Sequence, residues 1–274
     1  MGRVSNFRSA QTLGSVPAPR DDKGPGAHLC RIIGVALWVI GVVILAVAAV
    51  IVNSHPVPWP VELTFTKTIQ GPHPIPCPVP DQPHSWIEAG LFAVSQLNNP
   101  VPSVTAGAVW LIGMLLLRMF RQALYFVVAV ASAGGLFLLL TPLVARPRPT
   151  IQAGICVHDT YPYYSFPSGH VIHDVVASGF LLYISFTEPV RSWRYRWLLL
   201  PLQIFFALDL LLIGYSRVLE GDHWLFDVLG GYLVGALWLL LFIFLYRWTA
   251  HLLSLARLKK MAGKMHRRFA RIAS

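Results

Sequence analysis

Charge is scarce in this chain. Asp, Glu, Lys and Arg make up 12% of its 274 residues, about half the share found in soluble domains. Acidic residues are the rarer sign, 12 against 22 basic ones. Cysteine is scarcer still, with three residues, and no Cys/His spacing resembles a zinc site. No internal repeat, Gly-rich nucleotide loop or nucleic-acid motif occurs. These absences set aside a zinc module, a nucleotide-loop enzyme and a nucleic-acid binder, despite a formal charge of +10. Apolar residues fill the space: 55% of the chain is hydrophobic and the mean hydropathy is +0.58. Several apolar runs reach the roughly 20 residues a membrane-crossing helix needs, so the solvent of this chain is a bilayer.

Six spans are expected, over residues 31–52, 104–117, 122–144, 170–186, 197–214 and 224–246, in an all-α transmembrane bundle. The second is short, and residues 86–97 read as an interfacial helix leading into it. The first run is too long, and begins too far into the chain, for a signal-peptide core. Lys and Arg set the orientation. Arg3, Arg8, Arg20 and Lys23 precede the first span and Arg31 opens it, Arg118 and Arg121 follow the second, and Arg191, Arg194 and Arg196 follow the fourth. Arg247, Arg257, Lys259, Lys260, Lys264, Arg267, Arg268 and Arg271 end the chain. With six spans these groups share one side, which places both termini in the cytoplasm. The expected organisation is an N-terminal tail (1–30), a membrane domain (31–246) with its catalytic core from about residue 104, a Pro-rich extracytoplasmic loop within it (53–103), and a basic tail (247–274).

The prolines between residues 53 and 83 argue against regular helix there, since each removes a donor and fixes φ. That stretch is expected to be a semi-rigid outer cover. Cys77 and Cys156 both fall on the outer side, where a disulfide between them can persist. In the tail, Leu252, Leu255, Leu258 and Met265 are spaced among cations, as in a helix lying on an anionic leaflet.

Three polar clusters stand at the ends of apolar runs on the outer side, where topology does not call for positive charge. Arg146-Pro-Arg148-Pro149 holds two guanidinium groups on a restricted backbone, and guanidinium suits the forked recognition of phosphate oxygens. Pro167-Ser168-Gly169-His170 opens a helix, whose orphan N–H groups and dipole favour an anion. Ser168 is positioned as N-cap and donor, and Gly169 admits a ligand to the backbone. His223 and Asp227, four residues apart at the start of the last span, share a helix face. The carboxylate can hold the imidazole in one tautomer and leave its other nitrogen free to attack. Arg217 ends the preceding span nearby.

Together these residues resemble the signature of the type 2 phosphatidic acid phosphatase superfamily: Lys-x6-Arg-Pro, Pro-Ser-Gly-His, and Ser-Arg-x5-His-x3-Asp. The second part is present as Pro167 to His170 and the third as Ser216-Arg217, His223 and Asp227. The first departs: with Arg148-Pro149 in register, Thr141 occupies the lysine position. The resemblance implies a metal-free, cofactor-free hydrolase of lipid phosphates. In it His223 is the nucleophile, Asp227 its orienter and His170 the acid. Arg148, Arg217, Ser168 and Gly169 bind phosphate, and Arg146 is the candidate replacement for the lysine. The site would face the extracytoplasmic side and take a membrane lipid phosphate or diphosphate, without nucleic acid. Phosphotransfer through the same site, or lipid-phosphate binding without turnover, are the alternatives. Neither the lipid nor the oligomeric state follows from the sequence.

Overall fold

The computed structural model describes residues 25–71, 86–159 and 161–273. The cations at residues 3, 8, 20 and 23, the proline cluster 72–80 and Cys77 lie outside that description. So do the side chains of Leu258 and Met265, on which the surface-helix expectation partly rests. Among the described residues the structure is helical and contains no strand. The main elements are α1 (Pro25–Ser54), α2 (Pro60–Gln70), α3 (Trp86–Leu97), α4 (Pro100–Leu116), α5 (Phe120–Val144), α6 (Gly169–Ser185), α7 (Leu200–Leu219) and α8 (Leu225–Ala273). The chain divides into two compact units, residues 1–40 and 41–274. In the first, Ile32, Val35 and Leu37 on α1 are 60–65% exposed, an apolar surface suited to lipid rather than water.

Among the described residues, four helices are long and apolar enough to cross a membrane: residues Arg31–Ser54 of α1, α5, the segment Arg196–Leu219 containing α7, and Leu225–Ala256 of α8. A fifth arises if α3 and α4, bent by 67° at their junction, count as one broken span. The bend falls at Pro100, whose missing N–H and fixed φ end α3 and suit the first turn of α4. The remaining expected span, α6, has 17 residues. It rises about 26 Å, short of the ~30 Å hydrocarbon thickness. It begins at Gly169, after a loop whose Ser165, Phe166 and Ser168 are buried.

The Pro-rich loop needs correction. Residues 60–70 within it form a regular helix. Pro60 stands at the first helical position, where its lost donor was unsatisfied anyway, and no further proline occurs before Pro72. A Glu62 carboxylate oxygen accepts the Trp59 N–H at 3.0 Å and closes the first turn. The other end of the molecule also differs from expectation. α8 continues in helix to Ala273, so no break separates the last span from the basic tail.

α6 packs against α5, α7 and α8 and is the helix around which the core assembles. Phe180, Leu181 and Ile184 of α6 meet Phe126 of α5, Phe206 of α7 and Tyr246 of α8. Nearer the site, Val171 and Val175 meet Ile213 and Val228. At about 0.8 kcal/mol per buried methylene, contacts of this kind fix the register of the helix ends. Residues 41–54 of α1 join the same unit: Val52 packs on Val144 and Phe166, and Asn53 donates to the carbonyls of Leu143 and Val144.

Candidate active site

Five chain segments converge at one end of the bundle: α2, the loop from α5 to α6, the start of α6, the end of α7, and the start of α8. Main-chain bonds join them. Ser165 N–H donates to Arg146 O, Ser168 N–H to Asp227 O and His158 N–H to Glu220 O. The Gln70 side chain bonds both the N–H and the carbonyl of Cys156 and also the Leu219 carbonyl. Gly221 in the α7–α8 turn has φ +74, and a Cβ there would run into the Cys156 carbonyl, so only glycine lets the two loops touch. Cys156 is disulfide-bonded; its expected partner Cys77 lies outside the described residues.

His223 stands between these segments, fully buried. Its Nδ1 lies 3.9 Å from Asp227 Oδ2 and 3.4 Å from Ser165 Oγ. Ser165 Oγ in turn donates to the same carboxylate oxygen at 2.5 Å, and Trp224 N–H donates to it at 2.9 Å. The carboxylate and the hydroxyl thus both face Nδ1. Nε2 points the other way, 3.4 Å from Arg148 Nη1. Burial, with Arg148, His170 and Arg217 nearby, holds the His223 imidazole well below its ordinary pKa. It is therefore neutral at physiological pH with a lone pair available, as a nucleophile requires.

The His170 ring stands 6.4 Å from that of His223, centroid to centroid. Tyr161 bridges the two functional sides of the cleft: its ring meets His170 edge-on at 5.3 Å and lies 4.7 Å beneath the Arg148 guanidinium. Burial pushes the Tyr161 phenol up to about 12, so it keeps its proton and remains a donor. A cleft of about 270 Å³ opens beside these groups, lined by Arg148, Tyr161, Pro162, Tyr163 and Tyr164. Arg148 is anchored from behind by the carbonyls of Tyr163 and Asp222.

The remaining sequence candidates fall into separate places. Ser168 occupies the N-cap position of α6, but its side chain makes no capping bond. Its hydroxyl is fully buried and has no hydrogen-bond partner among the described residues. Gly169 has a packing reason to be glycine: a Cβ there would lie 2.8 Å from the Phe137 ring. Arg217 is buried and engaged by Asp222 at 3.0 Å, by Glu220 at 3.2 Å and by the Ser95 hydroxyl. Burial raises the Asp222 carboxyl to about 7, although Arg217 opposes the shift. Thr141, in the lysine position, is 3% exposed near the end of α5.

Arg146, the candidate replacement for that lysine, is held by carboxylates. Its guanidinium is fully buried and turned to carboxylates, with Nη1 on Asp227 Oδ1 at 2.6 Å and Nη2 on Glu62 Oε2 at 2.5 Å. Glu62 Oε1 accepts a further bond from Arg146 Nη1 at 3.1 Å and one from Phe226 N–H at 2.9 Å. Sequence reasoning missed Glu62, Ser165, Tyr161 and Asp222. Ser165 and Asp222 each adjoin a recognised motif and were open to suspicion. Glu62, about eighty residues before the first motif, carried no signal. Among the described residues no group of three or more His, Cys, Asp or Glu side chains is arranged to hold a metal ion.

Comparison with known proteins falls on the same region. Residues 122–251 match the PAP2 superfamily, and all the motif residues lie inside that segment. An undecaprenyl-diphosphatase of Sulfolobus acidocaldarius is 34% identical over 73 residues, 27% of this chain and 29% of that protein's length. A transmembrane PAP2-type phosphatidylglycerolphosphate phosphatase from Bacillus subtilis, solved by crystallography, superposes with a TM-score of 0.59. That superposition has 19% identity and covers 75% of this chain and 93% of the other. At that identity the likeness establishes a shared fold.

Proposed function

We propose that this chain, whose residues 122–251 match the PAP2 superfamily and which has several helices long and apolar enough to cross a membrane, hydrolyses a lipid phosphate or diphosphate through a phosphohistidine on His223. One observation carries the reading: a buried imidazole whose Nδ1 faces a carboxylate and whose Nε2 faces an arginine at the edge of an open cleft. In the proposed first step His223 Nε2 attacks phosphorus. The P–O bond to the lipid breaks, and His170 delivers a proton to the departing oxygen. The imidazole becomes a cation as the N–P bond forms, which Asp227 stabilises. Water then attacks phosphorus while giving a proton back to His170, the N–P bond breaks to return neutral His223, and inorganic phosphate leaves.

Arg148 and the Ser168 hydroxyl supply fixed donors for the equatorial oxygens, where transition-state charge gathers. Arg217 can join them once Asp222 releases it. With Thr141 in the lysine position and Arg146 engaged elsewhere, the site carries less positive charge than the full family signature implies. A lipid substrate follows from the position of the cleft at the ends of spanning helices, where a headgroup enters while its tail stays in the bilayer. Phosphatidate, phosphatidylglycerol phosphate and polyprenyl diphosphate all meet that description. Arg121, with its Nη2 on Tyr246 OH at 2.8 Å, and the 186–196 loop stand at the helix ends away from the cleft. The positive-inside rule puts that end in the cytoplasm and the cleft on the outer side.

The test is phosphate release from a panel of these lipids by the purified protein in detergent. The wild type is expected to release phosphate without added acceptor lipid, and His223→Ala to lose at least about 10³-fold. Equal rates in the two proteins would sink the assignment. A rate that depends on an added acceptor would make the enzyme a phosphotransferase.

A further inference from the structure

Glu62 lies on α2, sixty residues before the segment that matches the PAP2 superfamily. Four bonds nevertheless converge on its carboxylate: two from Arg146, one from Trp59 N–H and one from Phe226 N–H. Glu62, Arg146 and Asp227 are all fully buried. A carboxylate so placed is expensive unless it is paired and hydrogen-bonded, and this one is both. Phe226 is the residue before Asp227, so Glu62 holds the catalytic turn of α8 twice, through its backbone and through Arg146.

The charge count shows what a lone Arg146–Asp227 pair could not do. Arg148, His170 and Arg217 face His223 from the α5–α6 loop, α6 and α7, and each disfavours an imidazolium. Asp227 is the carboxylate within ion-pair distance of the ring among the described residues. If Asp227 were paired with Arg146 alone, the two would be neutral together, and little negative charge would remain to meet the cation that forms on His223. A second carboxylate on Arg146 returns the group of three to a net charge of −1.

We propose that Glu62 is a positioning residue of the reaction, which holds Arg146 against Asp227 and supplies the negative charge that lets Asp227 stabilise cationic His223. The proposal rests on His223 being the nucleophile. It makes α2, from the Pro-rich loop, part of the working site rather than a cover for it.

The experiment compares wild type, Glu62→Gln, Glu62→Asp and the double variant Glu62→Gln/Arg146→Met. Two readouts are used: the pH profile of kcat/KM for phosphate release, and the titration of His223 by NMR on protein labelled with 15N-histidine in detergent. Loss of the Glu62 charge leaves the neighbouring group neutral, so imidazolium becomes less stable. The His223 titration and the acid limb of the profile should both move down by about one pH unit in Glu62→Gln, with kcat lowered about 10-fold or more. Glu62→Asp keeps the charge and should leave both where they are in the wild type. The double variant restores the net charge of −1 and should bring both back. If Glu62→Gln does not fold, the aspartate and double variants still decide: a shifted titration in either overturns the proposal. A slower Glu62→Gln enzyme with unshifted titration would overturn it as well, because Glu62 would then serve only the fold. The NMR readout needs no turnover, so a wild type that releases no phosphate would remove the phosphatase reading while leaving the His223 titration to judge Glu62.

Discussion

Arg146 and Arg148 are separated by one proline and serve opposite environments. Arg146 is fully buried and spends both terminal nitrogens on carboxylates. Arg148 is half-buried, leans on main-chain carbonyls and the Tyr161 ring, and borders the cleft. The two bracket the His223–Asp227 pair, Arg146 on the carboxylate and Arg148 on Nε2, the nitrogen proposed to attack. Identical side chains two residues apart thus divide between charge balance inside the protein and recognition outside it. Burial raises the cost of leaving a charge unpaired, and partial exposure makes a guanidinium available to an incoming phosphate.

The sharpest way to break this comparison is to remove each arginine in turn. Arg146→Ala leaves Glu62 and Asp227 buried without their cation, which should cost about 3–5 kcal/mol and be visible as a large fall in thermal stability in detergent. Arg148→Ala leaves no buried carboxylate unpaired. It should unfold within a few degrees of the wild type yet lose roughly 10²-fold in kcat/KM, mostly through KM. A stable, slow Arg146→Ala together with an unstable Arg148→Ala would reverse the assignment of the two residues.

A smaller effect separates direct from relayed orientation of His223. Ser165 Oγ touches Asp227 Oδ2 more closely than the imidazole does. Ser165→Ala should lower kcat about 10-fold with little change in KM, since one buried hydrogen bond contributes about 1–1.5 kcal/mol. An unchanged kcat would leave Asp227 to orient His223 alone.

The reach of the sequence follows the same division between surface and interior. The apolar runs announce the helices because a bilayer demands about 20 consecutive apolar residues, and the site motifs stand where those runs end. α2 is not legible from composition: a stretch crowded with prolines reads as irregular until the eleven-residue window between Pro60 and Pro72 is noticed. Nor is the fate of Arg146. An arginine reserved for a buried carboxylate and one exposed to substrate look alike in sequence, and the partner that distinguishes them, Glu62, is brought close only by tertiary packing.

Arg217 gives the comparison a third member, because it is buried like Arg146 but belongs with the phosphate ligands by motif. Part of what holds it, the Asp222 ion pair, is conditional. The Asp222 carboxyl titrates at about 7, raised chiefly by burial, with Arg217 opposing and Glu220 adding to the rise. A carboxyl raised in the folded state keeps a proton that the unfolded chain has already lost. Its contribution to stability is therefore full below the ordinary carboxylate pKa and declines as pH rises through 7. Asp222→Asn should remove that decline and flatten thermal stability between about pH 4 and 7. The same titration bears on the ligand site: protonated Asp222 loosens its hold on Arg217, leaving Glu220 and the Ser95 hydroxyl as partners, whereas ionised Asp222 competes with substrate for it. KM of the wild type should therefore rise above pH 7, and KM of Asp222→Asn should rise less. A KM rise of equal size in both proteins would mean that Asp222 does not control Arg217, and Arg217 would then stand with Arg146 as an interior charge rather than with Arg148.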